Sequence, residues 1–85
     1  ASDESFQNFV SVYPNPTKGN LNIRVPKSLN SVDVEIYTIQ GKLISASLEK
    51  VTNGNVHLDV SSVSKGVYFI KLNMDKPVFV KFIKD

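Results

Sequence analysis

The sequence has no cysteine and no tryptophan among its 85 residues, and it contains a single histidine, His57. Without cysteine, the chain can form no disulfide and can offer no thiolate ligand to a metal ion. A chain of this length forms one domain at most, and it buries only about 60 to 65% of the surface that its unfolded form exposes. Its stability must therefore come from a single hydrophobic core.

The sequence also lacks a strong excess of charge and any long apolar run. Ten Lys and Arg residues stand against eight Asp and Glu residues, a formal charge of +2, so composition gives little support to nucleic-acid binding. No segment approaches the roughly 18 to 20 apolar residues of a membrane-spanning helix. The opening ASDESF has neither the basic segment nor the apolar stretch of a signal peptide. We expect a soluble chain whose export signal was removed or lies elsewhere.

Residues suited to catalysis or metal binding are few. Nucleophilic catalysis needs a general base, and His57 stands between two apolar residues on the outward side of an apparent strand. The carboxylates Asp33, Glu35 and Asp59 fall on the polar sides of strands, and no phosphate-loop or calcium-loop pattern is present. We therefore expect no catalytic residue, no metal site and no cofactor, and we expect that the domain is not an enzyme.

Apolar residues alternate with polar ones along most of the chain, which is the period of a half-buried β-strand. The alternation is clearest where Leu21, Ile23 and Val25 are separated by polar residues. Other segments are less regular but rich in β-branched and aromatic residues, which suit a pleated surface. The pattern predicts seven strands, at residues 10–13, 21–25, 32–38, 42–48, 56–60, 67–72 and 77–83.

Residues that tolerate positive φ separate these strands. Gly41 is predicted to close a hairpin between the third and fourth strands, and Asn53-Gly54 is the strongest hairpin signal of all. The polar segment 59–66 is too short for a helix, which indicates a tight crossover between sheets. Seven short strands at a spacing of about 8 to 12 residues predict an all-β, immunoglobulin-like antiparallel β-sandwich.

Three motifs occur in order ahead of a basic terminal strand. The first is Tyr13-Pro14-Asn15-Pro16-Thr17-Lys18-Gly19, the second is IYTIQGKLI at residues 36–44, and the third is LDVSSVSKGVYFIK at residues 58–71. This ordered set resembles the C-terminal sorting domain, type A, of the type IX secretion system, also called the Por secretion system. The resemblance extends from Tyr13 to Lys84, which is nearly the whole chain.

The resemblance implies a secretion signal that directs a larger, covalently attached N-terminal cargo through the type IX outer-membrane translocon. The cargo would pass the periplasm and reach the cell surface or be secreted, and a sortase-like peptidase would cleave the signal. On this interpretation residues 1–8 are the linker and expected cleavage region, and residues 9–85 are the sorting domain. No nucleic acid and no small-molecule substrate is expected as a partner.

We interpret the motif positions as mainly structural. The two prolines hold φ at about −65°, and the second keeps Asn15 away from helical geometry, which predicts a stiff, extended approach to a turn. Gly66 suits a turn that leads into a strand on which Tyr68 points inward, with its hydroxyl at a hydrogen-bond partner. The positions interpreted in this way are Tyr13, Pro14, Asn15, Pro16, Gly19, Gly41, Gly66 and Tyr68.

The last strand is apolar on both faces apart from its lysines. It could be an exposed recognition strand, which a partner covers or extends, or a fully buried central strand whose lysines reach solvent at its ends. The first interpretation assigns translocon recognition to Phe79, Lys81, Phe82, Ile83 and Lys84.

Two other functions remain open at this point. An immunoglobulin-like carbohydrate-binding or adhesion module would expose aromatic residues on one sheet, and Tyr37, Phe69 and Phe79 are the candidates. A spacer domain would only hold a catalytic neighbour away from the cell surface. Binding to glycans would support the first, and deletion of the domain without loss of export would support the second.

Overall fold

The computed structural model describes residues 10–85, which contain seven β-strands and no α-helix. No helix in this range is long and apolar enough to cross a membrane. The predicted linker at residues 1–8 lies outside the described residues. The strands begin and end within two residues of the predicted positions: β1 (Ser11–Tyr13), β2 (Asn20–Arg24), β3 (Ser31–Thr38), β4 (Leu43–Lys50), β5 (Asn55–Asp59), β6 (Gly66–Asn73) and β7 (Pro77–Lys84).

The strands form two antiparallel sheets that face each other. One sheet has the order β1-β2-β5 and the other has the order β4-β3-β6-β7. The chain changes sheet after β2, β4 and β5, and the last change confirms the predicted crossover at residues 59–66. The prediction of an all-β, immunoglobulin-like sandwich is confirmed.

The core lies between the sheets because one side of nearly every strand is apolar. Many outward positions are polar, and His57, Asp33 and Asp59 are exposed there, as their place in the alternation predicts. Every buried side-chain nitrogen and oxygen among the described residues has a hydrogen-bond partner. The apolar side chains that are almost completely buried are Leu21, Ile23, Val34, Val56, Val60, Ile70, Leu72 and Phe82.

At Asn53-Gly54 the predicted turn forms, but the prediction of a hairpin between the flanking strands is wrong. Thr52 and Asn55 exchange two backbone hydrogen bonds of 3.0 Å, and Asn53 and Gly54 have φ values of 52° and 75°. The strands that follow do not pair, because β4 joins β3 in one sheet and β5 joins β2 in the other. A two-residue turn sets only the local chain direction, so it does not decide which neighbour each strand pairs with. The hairpin predicted at Gly41 does form, between β3 and β4.

The crossover begins at Asp59, whose carboxylate accepts a hydrogen bond from the Ser61 N–H at 3.0 Å. Hydrogen bonds from Ser61, its hydroxyl first and its backbone second, lower the pKa of Asp59 below its usual value of 3.8. A lowered pKa in the folded state means that the carboxylate stabilises the fold fully above the unfolded pKa. This contribution is lost as the pH falls through the lowered folded value.

We therefore predict a pH-dependent difference between the natural sequence and Asp59→Asn. The difference in unfolding free energy should be constant near neutral pH and should shrink as the pH falls below about 4. Urea unfolding of both proteins across this pH range measures it. A difference that stays the same down to the lowest pH would mean that the charge of Asp59 does not stabilise the fold.

Candidate recognition surface

The terminal strand β7 lies at one edge of the four-stranded sheet, where β6 is its partner. The alternative of a fully buried central strand is therefore wrong. The inward side of β7 carries Phe82, which is completely buried with its ring stacked on Tyr68 at 5.5 Å between centroids. Lys84 is also buried, with 8% of its surface exposed. Phe82 is thus covered in the folded domain, and the assignment of Phe82 and Lys84 to translocon recognition stays a prediction.

The outward side of β7 presents Phe79, Lys81 and Ile83 to solvent, and Phe79 is 60% exposed. Each lies opposite an outward residue of β6, so that an aromatic ring faces a lysine at two neighbouring positions. An exposed apolar area of this kind often marks a site of interaction. We call this area the outer patch, and it consists of Val67, Phe69, Lys71, Phe79, Lys81 and Ile83.

Toward the middle of the sheet the outer patch borders strand β3, where Tyr37 pairs with Phe69 and Glu35 pairs with Lys71. The Tyr37 hydroxyl donates a hydrogen bond of 3.0 Å to Glu35 Oε1, and this bond raises the pKa of Tyr37. Lys71 Nζ lies 3.9 Å from the same oxygen and 6.0 Å from the centroid of the Phe79 ring. Glu35 thus holds the Lys71 ammonium near the Phe79 ring, within the outer patch.

The aromatic residues named for the carbohydrate-binding alternative also share this face. Tyr37, Phe69 and Phe79 lie on three adjacent strands, and all three point away from the core. This is the arrangement that a flat aromatic binding platform requires. The same surface therefore suits a protein partner or a glycan.

The first motif contacts the free edge of β7, a contact that sequence reasoning missed. The Asn15 side chain accepts a hydrogen bond from the Ile83 N–H at 2.9 Å and donates one to the Lys81 carbonyl at 3.2 Å. The Thr17 N–H donates to the Ile83 carbonyl at 2.8 Å, and the Asp85 N–H donates to the Thr17 carbonyl at 2.8 Å. The motif therefore covers the edge of β7 from Lys81 to Asp85.

The signal in the sequence for this contact is an asparagine between two prolines. Pro14 and Pro16 have no N–H, so the backbone there has few donors, and a side-chain amide is the group that can replace them. Both prolines are exposed, and the peptide bonds before them are cis. Tyr13 is also exposed, and its hydroxyl donates a hydrogen bond of 3.0 Å to the side-chain oxygen of Asn55.

The end of the first motif packs against the crossover at residues 59–66. Thr17 is completely buried, and its hydroxyl bonds to the Asn20 carbonyl and to the Gly19 N–H. The Gly19 carbonyl accepts from the Val60 N–H at 2.8 Å, and a Cβ at Gly19 would lie only 3.3 Å from Ser61 Cβ. The glycine therefore permits a close approach between the two segments.

The third motif behaves as its sequence predicts. Tyr68 points inward with 9% of its surface exposed, and its hydroxyl donates a hydrogen bond of 2.8 Å to the Ser64 carbonyl. Gly66 has a φ of 155°, and its position against the Tyr68 ring leaves a Cβ just enough space, at 3.6 Å. The motif residues are thus the framework that positions β7.

The other edge of the same sheet is different. Nearly all of β4 is exposed, and its core-facing side carries Ser45 and Ser47 where the other strands carry apolar residues. A cleft of about 440 Å³ separates these serines from β5. Within residues 10–85 no three His, Asp or Glu side chains are grouped so that they could hold a metal ion. The outer patch differs from this edge in combining exposed aromatic, aliphatic and lysine side chains on two paired strands.

The fold and this surface define a small immunoglobulin-like β-sandwich that exposes apolar residues on an outer sheet face. The family described as "Secretion system C-terminal sorting domain" matches residues 11–85, which include all seven strands. The chain belongs to this family, the C-terminal sorting domains of type IX secretion. No curated protein matches it.

Family membership identifies the domain as a sorting signal. Such a signal interacts with the type IX secretion machinery and is attached to a cargo protein, which is exported to the cell surface or secreted.

Proposed function

We propose that this non-catalytic domain directs its N-terminally attached cargo through the type IX outer-membrane translocon, and that the translocon recognises the outer patch. One observation carries the proposal. The terminal strand buries Phe82 in the core and turns Phe79, Lys81 and Ile83 outward, next to the exposed apolar residues of β6. The inward side of β7 thus fixes the strand to the core, and its outward side is free to contact a partner.

The composition of the outer patch suits a protein partner. Phe79 and Ile83 would lose their contact with water when covered, which favours binding, and aromatic residues are enriched at such interfaces. Lys71 and Lys81 add positive charge, which steers encounter with an acidic partner and orients it. We propose that the translocon presents an apolar surface with acidic residues at its rim.

Further steps belong to the same proposal. The cargo and the domain cross the periplasm together, and a sortase-like peptidase then cleaves the chain ahead of the sandwich. The polar stretch at residues 1–8 supports this placement of the linker and cleavage region, with residues 9–85 as the sorting domain. Polar segments with few apolar groups are, as a general rule, preferred sites of proteolytic cleavage.

The test is export of a fluorescent cargo that carries this domain, in a host with and without the translocon. Export should require the translocon, and Phe79→Glu should lower it about tenfold, because a carboxylate in an apolar interface loses its hydration. Leu48→Glu is the matched control, since Leu48 is 69% exposed on the same sheet face but at the opposite edge, in β4. It should export normally.

Both variants should unfold within about 0.5 kcal/mol of the natural domain, because both positions are exposed. Unchanged export of Phe79→Glu would exclude the outer patch as the recognised surface. Export that does not depend on the translocon would contradict the sorting function of this domain.

A carbohydrate-binding or adhesion function is the second candidate, and the shared face of Tyr37, Phe69 and Phe79 favours it. On this hypothesis Tyr37→Ala removes glycan binding by the domain but leaves export unchanged. A glycan array with the natural domain and this variant tests it. A pure spacer would show a third result, which is normal export after deletion of the whole domain.

A further inference from the structure

We infer that Asn15 is a positioning residue for the recognition strand. Its side-chain amide, together with the backbone of Thr17, holds the free edge of β7 and so keeps the outer patch in the geometry that the translocon recognises. This inference rests on the proposed role of the outer patch. It adds a specific function to the asparagine of the first motif, which lies far from the patch in sequence.

An edge strand has backbone groups that no neighbouring strand satisfies. At the end of β7 and the residue after it, such backbone groups point sideways from the free edge at alternate residues, namely Lys81, Ile83 and Asp85. Asn15 supplies one acceptor and one donor, at 2.9 and 3.2 Å, and the Thr17 backbone supplies the next donor and acceptor, both at 2.8 Å. The Asn15 side chain and the Thr17 backbone thus bond to the end of this edge as a neighbouring strand would.

The chemistry of the contact selects an amide. Asparagine offers a donor and an acceptor on one planar group, as a peptide bond does, whereas an ionised aspartate offers acceptors only. In Asn15→Asp the nitrogen that donates to the Lys81 carbonyl becomes an oxygen, which places two acceptors about 3.2 Å apart. The substitution therefore breaks the bond to the Lys81 carbonyl but keeps an acceptor for the Ile83 N–H, whereas Asn15→Ala removes both bonds.

Loss of this contact should loosen the end of β7 without removing the strand from the sheet. Pairing with β6 and the buried ring of Phe82 remain in place. In Asn15→Ala, however, the Ile83 N–H loses its acceptor, and local opening of an edge depends on such bonds. The outward side chains of Lys81 and Ile83 would then sample more positions, and a partner must order them again when it binds.

The experiment compares three variants of the domain fused to a fluorescent cargo. Asn15→Ala removes both bonds of the contact, and Asn30→Ala makes the same chemical change at an exposed asparagine just before β3. Val56→Ala truncates a completely buried side chain in the other sheet and so lowers stability without touching β7. Amide exchange at Ile83, urea unfolding and export are measured for each.

In Asn15→Ala, exchange at the Ile83 amide should accelerate about tenfold, as expected for the loss of one or two hydrogen bonds. Export should fall further than in Val56→Ala at equal or greater stability, because the recognition strand is disordered locally. Asn30→Ala should change neither quantity. Should Asn15→Ala fail to fold, Asn15→Asp keeps the size of the side chain and breaks only the bond to the Lys81 carbonyl, and its export is compared with that of Val56→Ala in the same way.

Two results overturn the inference while the proposed function stands. One is normal exchange at Ile83 in Asn15→Ala, and the other is export no lower than that of Val56→Ala at equal stability. In either case Phe79→Glu would still reduce export. If the natural domain exported its cargo without the translocon, both the proposed function and the inference would be wrong.

Discussion

Phe82→Ala is expected to destabilise the domain by about 3 to 5 kcal/mol, the usual cost of removing a buried phenylalanine ring. The ring is completely buried and stacks on Tyr68, so its removal leaves a cavity between the sheets near the end of β7. Small domains have only about 5 to 15 kcal/mol of stability in total. Most or all of the stability of this one should therefore be lost.

Urea unfolding of Phe82→Ala and Phe79→Ala measures the contrast between the two faces of β7. Phe79 is 60% exposed, so its truncation should cost less than about 1 kcal/mol. Export should fail in both variants, but for different reasons: Phe82→Ala loses the fold and Phe79→Ala loses the recognised surface. Equal costs of unfolding would mean that the orientation of β7 described above is incorrect.

Gly54→Ala is expected to have the second-largest effect, about 2 to 4 kcal/mol. Gly54 has a φ of 75°, which an L side chain adopts with strain, and an added Cβ would lie 2.9 Å from the Val25 carbonyl oxygen. That carbonyl belongs to the backbone, and the Val25 N–H is held by the Gly54 carbonyl at 2.8 Å. The turn must therefore move to admit the methyl group.

Gly41→Ala is the matched control because it makes the same change at a similar φ of 89°. No atom lies within 4 Å of the added Cβ, so only the conformational cost of about 1 kcal/mol remains. The urea midpoints of the two variants should differ clearly, with Gly54→Ala the less stable. If both variants lost the same stability, the steric contact at Val25 would play no part.

The position of the motif residues explains why a sorting domain would retain them on this fold. Asn15 and the two residues that it contacts in β7 are 66 and 68 positions apart in the chain. Gly19 contacts the crossover through Ser61, and Tyr68 contacts Phe82 from the neighbouring strand. The first and third motifs thus support the terminal strand, directly or through one neighbour.

Much of the fold could be predicted because strand formation depends on local patterns. The alternation of Leu21, Ile23 and Val25 with polar residues marks an inward and an outward face without reference to any other strand. The same holds for the inward direction of Tyr68, where the glycine and the alternating apolar residues around it indicate both the turn and the face. The order of the motifs likewise predicted the family to which the chain belongs.

The candidate surface was harder to predict, because β7 has apolar residues on both sides. Alternation identifies the core side of a strand only where the other side is polar. Phe82 and Phe79 are alike in sequence terms, and only the pairing with β6 places one in the core and the other in solvent. The Asn53-Gly54 turn failed as a hairpin for a related reason, since the turn cannot specify the sheet that each strand joins.

The sequence by itself therefore determined the seven strands, their turns and the resemblance to a sorting domain, because strands and turns follow from residues close together in the chain and the resemblance follows from the order of the motifs. Only the tertiary structure decided which side of β7 faces solvent and what Asn15 contacts. These depend on pairing between distant segments, and local patterns do not record such pairing.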